Sequence, residues 1–181
     1  MEGKKLALKF EKNEAIKAMQ THLGNYILKV KRAFTSKQQL NSIELVYLPY
    51  WCYRYRFTTA KVKKPIEGRV AIEPTHGLSA ILPENVELHD VHEARMGTTL
   101  LNVSDDPQPD KAKETVYWEV FSKEKKRQNI KVDILKTSLI YVPYWVGYLE
   151  NDKLDIVAVD GTNGKVDLGV KEAILNGFLR M

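Results

Sequence analysis

Three sets of side chains in this sequence are of types and spacings that could do chemistry, and each points to a different kind. The densest is Glu87-Leu-His-Asp-Val-His-Glu93. On a helix His89 and His92 stand three apart and Glu93 stands four from His89, so all three share one face. Two imidazoles and a carboxylate converging at about 2.0–2.2 Å would hold a divalent metal. The order is not the His-Glu-x-x-His of a metalloprotease, however, and a solvated polar helix accounts for the same residues. The second set is Arg54 and Arg56, alternating with Tyr53, Tyr55 and Phe57. Rings and guanidiniums in that order suit a sheet that stacks bases and holds phosphates. The glycine-and-aromatic signature of the commonest RNA-binding sheet is missing, and the matching places later in the chain hold Tyr148 and Glu150. The third set is Tyr50 with Trp51 and Tyr144 with Trp145. Exposed, they would make an aromatic ledge for a peptide, sugar or base; buried, they would be core.

No residue is assigned a catalytic role and no cofactor is expected. Cys52 is the only cysteine, so neither an intrachain disulfide nor a multi-thiolate zinc site can form. It follows Trp51 in an apolar run, where a small buried hydrophobe is the simplest role. No nucleophile elbow, phosphate-binding glycine loop or dinucleotide fingerprint occurs.

The 181 residues amount to one ordinary domain or two very small ones. With 44% hydrophobic and 28% charged residues the composition is that of a folded, water-soluble chain. The net charge of +5 is a mild excess that would help the approach to a polyanion. Its local concentrations are Lys61, Lys63 and Lys64, and the run Lys123, Lys125, Lys126 and Arg127. No export leader or window of about 18 apolar residues is present, so a cytoplasmic location and no membrane partner are expected.

The elements that must position these residues come in two sets. Glu44-Leu-Val-Tyr-Leu-Pro-Tyr-Trp51 recurs as Ser138-Leu-Ile-Tyr-Val-Pro-Tyr-Trp145, and Arg69-Val-Ala-Ile-Glu-Pro-Thr-His-Gly77 aligns with Ile156-Val-Ala-Val-Asp-Gly-Thr-Asn-Gly164. The first pair predicts two long strands. In the first of them Tyr47, Pro49, Trp51, Tyr53, Tyr55 and Phe57 share one side, expected to pack on helices, and Leu48, Tyr50, Cys52, Arg54 and Arg56 share the other, its arginines left toward water or a partner. Pro49 and Pro143 are each expected to mark a bulge or bend, since proline cannot donate a ladder hydrogen bond. The second aligned pair reads as strand, turn, strand, with Gly161, Asn163 and Gly164 able to take a tight turn.

Ahead of each long strand the apolar spacing predicts a helix, from Asn13 to Phe34 and from Pro109 to Arg127. A further short helix is predicted over Val170–Arg180 and another over Pro83–Arg95, although Val86, Leu88 and Val91 in the latter suit a strand nearly as well. Residues 98–110, with Ser104-Asp-Asp-Pro-Gln-Pro-Asp110, read as a connector between a first repeat, 1–97, and a second, 111–181.

Glu14-Ala15 on a helix, then Tyr-x-Pro-Tyr-Trp, then Val159 to Lys165 as Val-Asp-Gly-x-x-Gly-Lys, resembles segments of uncharacterised bacterial proteins, some of which carry an N-terminal zinc ribbon. In outline the unit is similar to PepSY-like domains, modules associated with protease inhibition. The zinc-ribbon cysteines are not in this sequence, and the resemblance supplies no catalytic residue.

The expectation is therefore an α+β fold: a tandem repeat of helix plus antiparallel sheet (long strand, hairpin, short helix) with two copies packed together. Its function is expected to be that of a noncatalytic interaction module binding a protein or peptide, by an exposed sheet edge. The partner-binding candidates are Tyr50, Trp51, Arg54, Arg56, Tyr144 and Trp145. The alternatives are nucleic-acid association through Arg54, Arg56 and the Lys/Arg clusters, and a metal-dependent enzyme at His89, His92 and Glu93. Nothing in the sequence decides between a monomer and a homo-oligomer.

Overall fold

The computed structural model describes residues 3–30, 40–60, 64–83, 85–91, 97–103, 105–124, 129–150 and 155–181, with the backbone alone at 25–30 and 124. Two nineteen-residue strands, β2 (Leu40–Thr58) and β7 (Lys131–Leu149), form its centre. Tyrosine, tryptophan and β-branched residues crowd both, which favours a pleated backbone over a helix. They pair antiparallel along their whole length.

The other strands flank this pair. They are β1 (Lys4–Leu6), β3 (Ile66–Ile72), β4 (Ser79–Leu82), β5 (Leu88–Asp90), β6 (Thr98–Leu100) and β8 (Asp155–Asp160). All eight strands make one sheet, ordered β4-β3-β2-β7-β1-β5, with β6 also on β2 and β8 also on β7. The fold is thus α+β with a mostly antiparallel sheet; only β1 on β7 and β6 on β2 run parallel. Thr98–Leu100, inside the segment expected to be a connector, is the strand β6.

Helices α1 (Lys12–Val30) and α2 (Pro109–Glu124) cover one face of the sheet. Ala15, Met19 and Leu23 of α1, and Ala112, Val116 and Val120 of α2, are buried at four-residue spacing. They meet Tyr47, Trp51, Tyr53 and Tyr55, the strand side expected to pack on helices, together with Tyr141 and Trp145. Helix α3 (Lys171–Leu179) covers the opposite face. On that face Leu48, Tyr50 and Cys52 are buried with Ala173 and Ile174. Only from Arg54 onward does that side of β2 open to solvent.

Two expectations are corrected. The helix predicted over Pro83–Arg95 gives way at Leu88–Asp90 to strand β5, because β1 offers these residues a hydrogen-bonding edge. The bulges expected at Pro49 and Pro143 are absent; Pro49 faces Tyr141, Pro143 faces Tyr47, and the register slips instead at Leu40/Ser42 and Arg54/Tyr55. Each proline sits where the outer flank of its strand changes partner. β6 pairs residues 45–47 of β2 and β3 pairs 51–57, so Pro49 falls in the gap. Pro143 falls likewise between β1, on residues 140 and 141, and β8, on 144–149. The Tyr47 and Pro143 carbonyls point to that outer side, accepting from Leu101 N–H at 3.0 Å and Gly161 N–H at 2.8 Å. A missing N–H there deprives no ladder of a donor.

No helix among the described residues is long and apolar enough to cross a membrane.

Candidate functional site

Of the aromatic candidates, none offers an open ledge. Tyr50 and Tyr144 are buried with their hydroxyls 3.4 Å apart. Trp51 and Trp145 are each 8% exposed. Their indole N–H groups donate to the Asp105 and Phe10 carbonyls, both at 2.8 Å. Tyr53 adds a second tie, its hydroxyl accepting from Gln108 N–H at 2.6 Å. These residues therefore hold the segments that lead into α2 and α1, and their polar atoms are spent on that task.

The metal candidates do not assemble as a helical face. His89 lies in strand β5, opposite Lys5 of β1, while His92 and Glu93 lie outside the described residues. Among the described residues no three His, Cys, Asp or Glu side chains cluster to hold a metal. Cys52 is buried, and that burial pushes its thiol above the ordinary range, with Arg69 and a hydrogen bond to Ser138 pulling it partly back. A protonated, enclosed thiol is a poor nucleophile.

Arg54 and Arg56 are different: they belong to an open surface. Cross-strand partners share a face of a sheet. On that basis Arg54 stands beside Arg69 of β3 and Lys136 of β7, Arg56 stands between Glu67 and Asp133, and Thr58 is opposite Lys131. Five cations and two carboxylates thus occupy one face at one end of the sheet. Arg54, Lys131 and Lys136 are exposed; Arg56 and Arg69 are half-buried. Arg54 donates to Glu67 from Nη2 at 2.6 Å and from Nε at 3.2 Å. With 58% and 43% of these side chains exposed, the pair is weakly held, at most about 1 kcal/mol. Arg54, Glu67, Gly68 and Arg69 line an open concavity of about 330 Å³.

The two sequence clusters flank these strands along the chain. Lys61, Lys63 and Lys64 lie between the end of β2 and the start of β3, and Lys123, Lys125, Lys126 and Arg127 between the end of α2 and the start of β7. Lys64 and Lys123 are exposed; the other five lie outside the described residues. Stretches 54–69 and 123–136 together hold twelve Lys/Arg and three Asp/Glu, a net of +9 in 30 residues. The other 151 residues hold sixteen and twenty, a net of −4. The mild overall excess is therefore concentrated in these two stretches of the sequence.

The repeat alignment matches Arg54 and Arg56 of β2 to Tyr148 and Glu150, at the end of β7. Antiparallel pairing changes the comparison, because the last part of β2 lies against the first part of β7, not against its last. At the far end Tyr148 is instead covered by Phe178 of α3, ring centres 6.4 Å apart, and its hydroxyl donates to Glu44. One end of this face is roofed by α3. The other is open and basic.

Comparison of the chain with protein families, curated proteins and solved structures finds no match to any of them.

Proposed function

We propose that the chain is a noncatalytic, nucleic-acid-associated interaction module whose binding surface is the open end of the sheet formed by β2, β3 and β7. The observation that carries this is the convergence of Arg54, Arg56, Arg69, Lys131 and Lys136 on one uncovered face. Three of the five are arginines, whose planar forks match phosphate oxygens. Among the described residues of β2 no ring is exposed beside them, since Tyr53 and Tyr55 turn to the α2 side. Contacts on this face would thus go to the phosphate backbone, giving binding that depends little on sequence and steeply on salt. The Arg54–Glu67 pair is weak enough for a phosphate to displace the carboxylate.

The test is retention of a short DNA duplex and of RNA on the protein at low salt. The expected result is binding whose logarithm falls with log salt at about 0.9 per phosphate contact, and a loss of at least tenfold on changing Arg54 and Arg56 to alanine. Failure of both nucleic acids to bind at low salt overturns the proposal. Binding to anionic vesicles with none to nucleic acid overturns it too, in favour of a membrane surface.

A protein or peptide partner is the second reading, supported by β4. This strand ends the sheet, pairs with β3 alone among the described strands, and exposes Ser79, Ala80 and Ile81. A segment added along it would lie one strand beyond Arg69, across Leu82. Placing proline at Ala80 should abolish capture of such a segment if this is the route.

We further infer that the halves are copies of one folding unit. Leu48 pairs with Val142, two positions that the 94-residue offset of the motif equates, so equivalent residues fall symmetrically about that point. The turns agree as well. Glu73 and Asp160 each accept a side-chain bond from the N–H two residues on, and Gly77 and Gly164 take φ of 70° and 73°. α3, with β5 in the corresponding place of the first half, is where the copies part.

A further inference from the structure

We propose that the nucleic acid taken by the basic end is single-stranded, and that one of its bases stacks on Trp118 of α2; this rests on the function proposed above. Trp118 is 56% exposed, in contrast to the other two tryptophans. It stands on the outward side of α2, away from Ala112, Val116 and Val120. Tyr117 and Phe121 hold it from either side in the sequence. Their rings lie within 11° of parallel, and Trp118 meets them at 87° and 85° with centres 5.5 and 5.6 Å away. Such edge contacts fix a ring while leaving much of the indole open, as a stacking platform requires.

The position of this platform decides the form of the ligand. α2 lies on the sheet face opposite Arg54, its Val120 packed in one cluster with Tyr55, and Lys123 of its last turn pairs with Glu119 at 2.8 Å. A strand bound at Arg54, Arg56 and Arg69 would come to Trp118 on the other face by rounding the sheet, and at its basic end that path runs past Lys64 and Lys131 and then Lys123. Cations mark that route from one side to the other. A duplex, with a persistence length of about 150 base pairs, cannot turn so sharply round one small domain, whereas a single strand can. The trio has no counterpart on the described part of α1, where Lys17, Gln20 and Thr21 hold exposed positions.

Trp118 also supplies the readout. Trp51 and Trp145 are buried with their N–H groups bonded to carbonyls, so a change of emission on adding a ligand reports mainly Trp118. The experiment titrates the full chain with an oligothymidylate of about 15 nucleotides and, separately, with a mixed-sequence duplex of the same length. The expected outcome is quenching by the single strand and little by the duplex. Trp118→Ala should weaken single-strand binding by about 5- to 100-fold, with duplex binding unchanged, and Trp118→Phe should recover part of the loss. Arg54→Ala with Arg56→Ala should weaken both. Equal loss for both ligands, or no effect of Trp118→Ala on either, overturns the single-strand inference and leaves the basic surface standing. Conversion of a dimer to a monomer by Trp118→Ala, with nucleic-acid binding intact, overturns it in favour of self-association. Failure of every nucleic acid to bind refutes the function itself.

Discussion

Arg54 stands directly opposite Lys136 in the ladder between β2 and β7, one cation against another on the same face. Like charges so placed destabilise a sheet by about 0.2–1 kcal/mol. Lys136→Gln should therefore raise stability by a few tenths of a kcal/mol in urea unfolding while weakening polyanion binding severalfold. A residue kept for folding alone would behave in the opposite sense: its loss would lower the unfolding midpoint and leave binding unchanged.

Glu67 should act as a brake on the same surface. It holds Arg54 in an exposed ion pair, so Glu67→Gln frees the guanidinium and removes a nearby negative charge. The expected result is tighter nucleic-acid binding by severalfold and a larger salt slope, at a stability change within about 0.5 kcal/mol. Unchanged affinity in Glu67→Gln would mean that phosphate does not visit Arg54.

Much of this architecture was legible in the residues. The side of β2 running Tyr47, Trp51, Tyr53 and Tyr55 packs on helices as its alternation predicts, because a period of two is local. Helices α1 and α2 begin within a residue of their expected starts, where acidic side chains occupy the first turn. What the sequence does not carry is partnership. Leu88 to Asp90 is ambiguous until β1 supplies an edge. Pro49 looks like a ladder fault until the gap between β6 and β3 is seen. The basic end is invisible while Arg54 is compared with Tyr148, its match in the alignment, and not with Lys136, its neighbour in space.

The buried phenols predict how the fold fails in alkali. Burial raises the pKa values of Tyr50, Tyr53, Tyr55, Tyr141, Tyr144 and Tyr148 above the ordinary tyrosine value, and the neighbouring phenol and carboxylates add to the rise at Tyr144. A group whose native pKa exceeds its unfolded value of about 10 contributes stability that is fully present below pH 10 and lost above it. The chain should thus unfold cooperatively as pH rises past about 10, with no comparable loss near neutrality. Absorbance at 295 nm, reporting tyrosinate, should grow together with the loss of circular dichroism. Six early-titrating tyrosines in a still-folded chain would refute the burial.

Tyr50 and Tyr144 offer a sharper check on the core and on the inferred symmetry. Their hydroxyls, 3.4 Å apart, are each other's hydrogen-bond partner in an interior that gives them few alternatives. Removing one hydroxyl leaves the other unsatisfied, at about 1–3 kcal/mol, while removing both can be nearly neutral. Tyr50→Phe and Tyr144→Phe should therefore each destabilise by at least 1 kcal/mol. The double variant should lose less than the sum of the two, a coupling of about 1 kcal/mol or more in a double-mutant cycle. Because the two positions are equivalent under the 94-residue offset, the single variants should also cost nearly the same. Strictly additive losses, or one silent hydroxyl, would mean that the pair does not form and that the centre of the sheet is not symmetric about Leu48 and Val142.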